Sequence, residues 1–123
     1  MKKNMQKNDA EKHKSNLVGA KMPKSDFKNA RLELSDCRGA SFVRSDLRGA
    51  NFRESNCSGA NFSKTDCMHA DFWGCNLMDC DFRGARIDFA NFRKANLKGM
   101  VIDQNQVPAM MVALGIKVEQ NNE

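Results

Sequence analysis

From Leu17 to Ile102 every fifth residue is apolar or a cysteine, with no slip in register, and the residue two places earlier is small in nearly every case. The run RSDLRGANFRESNCSGANFSKTDCMHADF, Arg44 to Phe72, displays the pattern. A five-residue period fits neither a helix of period 3.6 nor a strand of period 2. It leaves a solenoid, in which short segments stack around one continuous core. Two inward positions flanking one outward residue, then two more outward residues, describe a chain that turns a corner every five residues. Asp or Asn predominates between the inward pair, as at Asp26, Asp36, Asp46, Asn51, Asn56, Asn61, Asp66 and Asp71.

These residues carry a resemblance. The pattern resembles the pentapeptide-repeat family, whose motif reads A(D/N)LXX with Ser or Cys often replacing Ala and Phe often replacing Leu. It extends over residues 15–102. The resemblance implies an all-β solenoid, a right-handed, four-sided parallel β-helix with four repeats per coil. The spacing of large side chains supports four sides independently. Residues 20 apart then share a wall: Phe42, Phe62 and Phe82 form one ladder, and Phe52, Phe72 and Phe92 form another opposite it. The walls between carry smaller centres, Phe27, Leu47, Cys67 and Ile87 on one and Leu17, Cys37, Cys57, Leu77 and Leu97 on the other. Large side chains on two facing walls with smaller ones between fill a narrow square interior without overpacking. The repeats amount to about 4.5 coils, each advancing ~4.8 Å as neighbouring strands do.

After Ile102 the repeat is abandoned. Val107, Met110, Met111 and Leu114 fall at i, i+3, i+4 and i+7, Pro108 suits a first helical turn, and Gly115 is a natural stop. The expected organisation is therefore a basic disordered tail over 1–14, a β-helix over 15–104, a short C-terminal helix over 105–117, and a disordered tail over 118–123. The helix is expected to cap the last coil or to pair two chains as a homodimer. In the resembled family, C-terminal elements of this kind also make dimer contacts.

The 123 residues suit one domain, with 20 Lys and Arg against 15 Asp and Glu and a net charge of +5. Part of the excess lies in Lys2, Lys3, Lys7, Lys12 and Lys14, which face only Asp9 and Glu11. That tail has no aromatic residue and no apolar face, so a solvated arm is expected rather than a membrane or nucleic-acid one. No stretch approaches the ~20 apolar residues that cross a bilayer. The basic start is not followed by the ~7–15 apolar residues of a secretory signal. An odd number of cysteines, 5, also argues against a disulfide framework. The expectation is a cytoplasmic chain that does not engage a membrane.

The residues offer no catalytic constellation and call for no cofactor or metal. Cys37, Cys57, Cys67, Cys75 and Cys80 all occupy inward positions spread over several walls, where a thiol packs as a small hydrophobe. A metal would need ligands converging on one point. His13 lies in the tail, and His69 points outward while Cys67 points inward. Asp26, Asp46 and Asp66 are expected to bond the corner backbone, and Gly39, Gly49 and Gly59 recur at a corner that favours glycine. No active site is expected.

Outward ladders offer candidate binding positions instead. Lys24, Arg44 and Lys64 align one coil apart, with Arg83 nearby. On the opposite face Arg53, Trp73 and Arg93 form a column flanked by Arg31, Glu54 and Lys94, and an indole between two guanidiniums favours cation–π stacking. Met68 and Phe89 make a smaller apolar group beside His69. The function that fits is a non-catalytic interaction module or scaffold with a protein partner. The resemblance also implies an alternative, since some relatives imitate duplex DNA and bind DNA gyrase. That activity needs a strongly acidic rod, because the duplex carries a negative charge per ~1.7 Å, whereas this chain is mildly basic. A second alternative, a basic nucleic-acid-binding rod, has few aromatic platforms to stack bases.

Overall fold

The computed structural model describes residues 14–119 and 121. Its backbone closes on itself every twenty residues. Parallel bridges join Asn16 to Asp36, Asp36 to Asn56, Asn56 to Asn76 and Asn76 to Asn96, and the other three sides repeat the same step. Each side thus bridges to the side below through a single residue, the one between the inward pair, most often Asp or Asn. Among the described residues there is no extended strand. The expected all-β assignment is corrected to this extent: a corner after every fifth residue leaves too little straight chain for a strand.

The corners are turns closed by a 4→1 hydrogen bond, from Ala20 N–H to the Leu17 carbonyl, from Ala30 N–H to the Phe27 carbonyl, and so on along the chain, save at Ser25, whose N–H donates to the Ser45 hydroxyl. The third residue of the turn has a positive φ, which such a tight turn requires. Glycine fills this place at Gly49, with φ 67°, but Lys24, Arg44 and Lys64 hold it too, at 54°, 62° and 57°. The Asp or Asn side chain steadies the corner, accepting the N–H two residues on: Asp46 from Arg48, Asn61 from Ser63, Asp71 from Trp73.

The interior follows the walls expected from the sequence. Phe42, Phe62 and Phe82 stack face to face at 5.1 and 4.7 Å, and Phe52, Phe72 and Phe92 at 5.1 and 5.3 Å. The two stacks meet edge to face, as between Phe62 and Phe72 at 5.5 Å. Offset stacking along a wall and T-shaped contact across it are the two arrangements aromatic quadrupoles prefer. The small inward positions do more than fill space. Ser45 Oγ donates to the Met22 carbonyl, Ser55 Oγ to the Leu32 carbonyl, and Cys80 Sγ to the Cys57 carbonyl, each 23 residues back. A thiol here performs the work of the serine hydroxyl.

The last coil ends on side chains that imitate the missing next one. In the repeating ladder, an inward carbonyl such as Met22 receives a hydroxyl from the coil above, and a carbonyl such as Ser15 receives the N–H of Asp36. At the top, the Gln106 carboxamide donates at 2.7 Å to both the Phe82 and the Ala85 carbonyls. Gly84 N–H, which a backbone carbonyl would receive lower down, donates to the Asp103 carboxylate at 2.7 Å. A 3-10 turn, Gln104–Gln106, leads into helix α1, Val107–Ala113. Gly115 at φ 72° closes it, with its N–H on the Val112 carbonyl and that of Ile116 on the Met111 carbonyl, the two bonds of a Schellman stop.

The helix is shorter than the segment 105–117, and only part of its apolar stripe faces the coil. Met110 is buried, Leu114 and Met111 are half-buried against the core, and Val107 is exposed. A stripe at i, i+3, i+4 and i+7 covers a wide arc of a two-turn helix, so its middle presses on the coil while its edge faces out. The expected tail over 1–14 lies, but for Lys14, outside the described residues.

Candidate interaction surface

The corner geometry places consecutive outward residues on flat faces, one coil above another. On the face built by Leu32, Phe52, Phe72 and Phe92, the column Arg53, Trp73, Arg93 forms as the spacing predicts. The Arg53 guanidinium lies 4.7 Å from the Trp73 ring centre, and its Nη1 is 3.0 Å from an oxygen of Asp71. Asp71 also accepts from Trp73 N–H and from the Asn91 side chain. Arg53 and Trp73 are thus half-buried and held in place, whereas Arg93 is exposed and anchored through its backbone, its N–H on Asn91 and its carbonyl accepting from Gly74 N–H. A fixed indole edge below a free guanidinium offers both apolar area and charge.

Lys24, Arg44 and Lys64 form the second column, all exposed. Much of the remaining positive charge is neutralised locally, which the formal count hides. Arg38, Arg48 and Arg83 each fork onto the aspartate two residues earlier, Asp36, Asp46 and Asp81, through two bonds of 2.6–3.0 Å. The guanidinium bond holds each of these carboxyls below its ordinary value. The Asp-x-Arg spacing was the available signal, since residues i and i+2 flank one inward centre and share a face.

The thiols take no part in this surface. All five cysteines are free and buried. Burial pushes the Cys67 and Cys80 thiols up to about 12, and Cys57 is raised by burial and by the neighbouring Cys37 and Cys75 thiols. Cys37, Cys57 and Cys75 are thus closer than a spread over several walls suggests, while the raised thiols of Cys57, Cys67 and Cys80 favour the unreactive SH form. Among the described residues no group of three or more His, Cys, Asp or Glu is arranged to hold a metal ion. His69 is exposed and stacks on Phe89 at 5.1 Å. No helix among the described residues is long and apolar enough to cross a membrane.

The family model for pentapeptide repeats (8 copies) matches residues 13–49, 30–66 and 60–99. The chain belongs to the pentapeptide-repeat family. Pentapeptide-repeat proteins fold as right-handed quadrilateral β-helices, which the twenty-residue bridging register of this chain matches. Among solved structures it is similar to the pentapeptide-repeat protein Rfr23 from the cyanobacterium Cyanothece 51142, with 24% identity and a TM-score of 0.71 over 73% of this chain and 61% of that one. The chain therefore spans less than two thirds of that relative's length. It is also similar to a pentapeptide-repeat protein of the Arabidopsis thaliana thylakoid lumen, with 17% identity and a TM-score of 0.71 over 89% of this chain and 81% of that one. No curated protein sequence matches it.

Proposed function

We propose that this pentapeptide-repeat chain is a non-catalytic cytoplasmic interaction module that binds a protein partner through the outer faces of its β-helix. The Arg53–Trp73–Arg93 column carries the reading. Trp and Arg dominate interface hot spots because they combine apolar area with directed charge, and here the indole is preorganised by Arg53 and Asp71. A rigid support lowers the ordering cost of association. Capture of partners from the native cell, repeated with Trp73→Ala and Arg93→Ala, tests it. A partner retained at least tenfold less by either variant is expected. Retention indifferent to both removes the column from the binding surface.

The DNA-mimic alternative fits the faces poorly. Exposed Lys24, Arg44 and Lys64 line one face, and Asp36, Asp46, Asp71, Asp81 and Asp88 are each paired with an arginine. No inhibition of gyrase supercoiling is expected, and potent inhibition would replace this reading. Tight, salt-sensitive DNA binding would instead favour the nucleic-acid alternative. The same reading pairs two chains through α1, whose outer side lines a groove of about 400 Å³ with Val107, Pro108, Met111, Ile116 and Val118.

A further inference from the structure

Phe89 occupies a corner that costs it conformational energy and returns no burial. Its φ is 61°, in the left-handed region that a bulky side chain rarely adopts, and the residue is 70% exposed. Its ring rests on His69 alone among rings, 5.1 Å away and 11° from parallel. The same ring lines a shallow cleft of about 260 Å³ together with Val112 and Ala113 of α1 and with Ala90, Asn91 and Arg93. Val112 is 71% exposed. Arg93 and its neighbour Lys94 are exposed, and neither has a carboxylate within ion-pair distance among the described residues. This contrasts with Arg38, Arg48 and Arg83, which are all forked onto aspartates. Each corner demands this φ of its third residue, but at Phe89 the place is filled by a large apolar ring left in solvent beside other exposed apolar residues, a choice that stability does not call for.

We infer that the cleft between Phe89 and Val112 docks a protein segment that carries an apolar side chain flanked by carboxylates. The apolar side chain enters beside Phe89 and Val112, and the carboxylates meet Arg93 on the lining and its chain neighbour Lys94. Charge complementarity selects this occupant: Phe89, Ala90, Val112 and Ala113 are apolar, Arg93 is the charged residue of the lining, and Asp88, which lines an adjoining cavity with Phe89 and Val112, is itself engaged by Arg86 at 3.2 Å. The inference rests on the protein-binding reading above and gives its partner a chemistry. Arg93 belongs to both the Trp73 column and the cleft, so one segment runs from one to the other.

The probe is a phage-displayed library of random peptides, panned against the full chain. The expected consensus is an aliphatic or aromatic residue next to Asp or Glu. The selected peptides should bind Phe89→Gly and Arg93→Glu chains at least tenfold more weakly. Phe89→Gly removes the strained φ as well as the ring, so that variant should melt at the same temperature or higher. A loss of binding with no loss of stability separates docking from a structural role. Peptides without acidic residues, no enriched peptide, or binding unchanged in both variants would overturn the inference. So would a dimer that Phe89→Gly splits, since a second copy then fills the cleft. Binding that responds to Trp73→Ala but not to Phe89→Gly sinks the cleft alone and leaves the protein-binding reading standing. If neither peptides nor cellular partners respond to any of these changes, both fall.

Discussion

Phe62 lies between Phe42 and Phe82 in its own stack and meets Phe52 and Phe72 edge-on at 5.6 and 5.5 Å. Four aromatic neighbours leave no side chain free to collapse into its place. Phe62→Ala should cost about 3–5 kcal/mol in chemical denaturation, as a large-to-small core change does. The corners respond in the opposite sense. Lys64 holds φ 57° with its side chain exposed, so Lys64→Gly should stabilise the chain by about 0.5–1 kcal/mol. Gly49→Ala should destabilise it by about 1–2 kcal/mol, because φ is 67° and a Cβ would collide with the Asn29 side chain. The buried thiols set an alkaline limit. Their folded pKa is raised, from 9.0 to about 12 for Cys67 and Cys80. The stability they contribute is complete below pH 9 and is lost as the pH rises towards 12. Thiol reagents should label the native chain slowly at neutral pH and all five cysteines at once on unfolding.

At the level of elements, the end of the β-helix matters most, since an open edge invites further pairing. Gln106 donates to the Ala85 carbonyl, which receives no backbone N–H, and to the Phe82 carbonyl, which also accepts the N–H of Ala85. Gln106→Leu keeps the volume and removes the donors. It should cost about 1–3 kcal/mol by leaving a buried acceptor unsatisfied, and Gln106→Glu should fare no better, since an ionised carboxylate donates nothing. This cap illustrates what was and was not legible in the sequence. The walls could be read because Phe recurs at fixed spacing, and the Arg53–Trp73 contact could be read because the two residues lie one coil apart. The role of Gln106 depends on which carbonyls lack a coil above them, and the sequence around it resembles any polar helix start. The exposure of Val107 and the cleft beside Phe89 likewise depend on how α1 settles on the last coil, which no periodicity encodes.

For the whole molecule the question is how many copies act together. Three large exposed apolar residues of the C-terminal segment, Val107, Ile116 and Val118, lie at one end of the β-helix in the groove of α1, outside the Phe89 cleft. Apolar surface gathered in this way marks an interaction site, and a two-fold pair buries it against itself. Light scattering should find a dimer that Met111→Glu converts to a folded monomer. Met111→Glu and Leu114→Glu both disturb a half-buried contact with the core and should lower the melting temperature as well, whereas Val107→Glu, at an exposed position of the same groove, should split the dimer without that loss. A monomer at every concentration would assign the helix to capping alone.

The twenty-residue register also governs how such a chain can change length. Removing five residues leaves every local motif intact, yet each later side chain moves to the neighbouring wall. Phe72 and Phe92 would then stack on the wall of Phe27 and Leu47, while Leu77 and Leu97 would take the places on the Phe52 wall where aromatic rings had stood. Removing twenty residues shortens the β-helix and leaves every remaining stack in order. Length is therefore available to this chain only in whole coils, and a small insertion far from any binding face is as disruptive as a change within it. Growth or loss by internal duplication should be tolerated in that one unit, whichever faces the partners use.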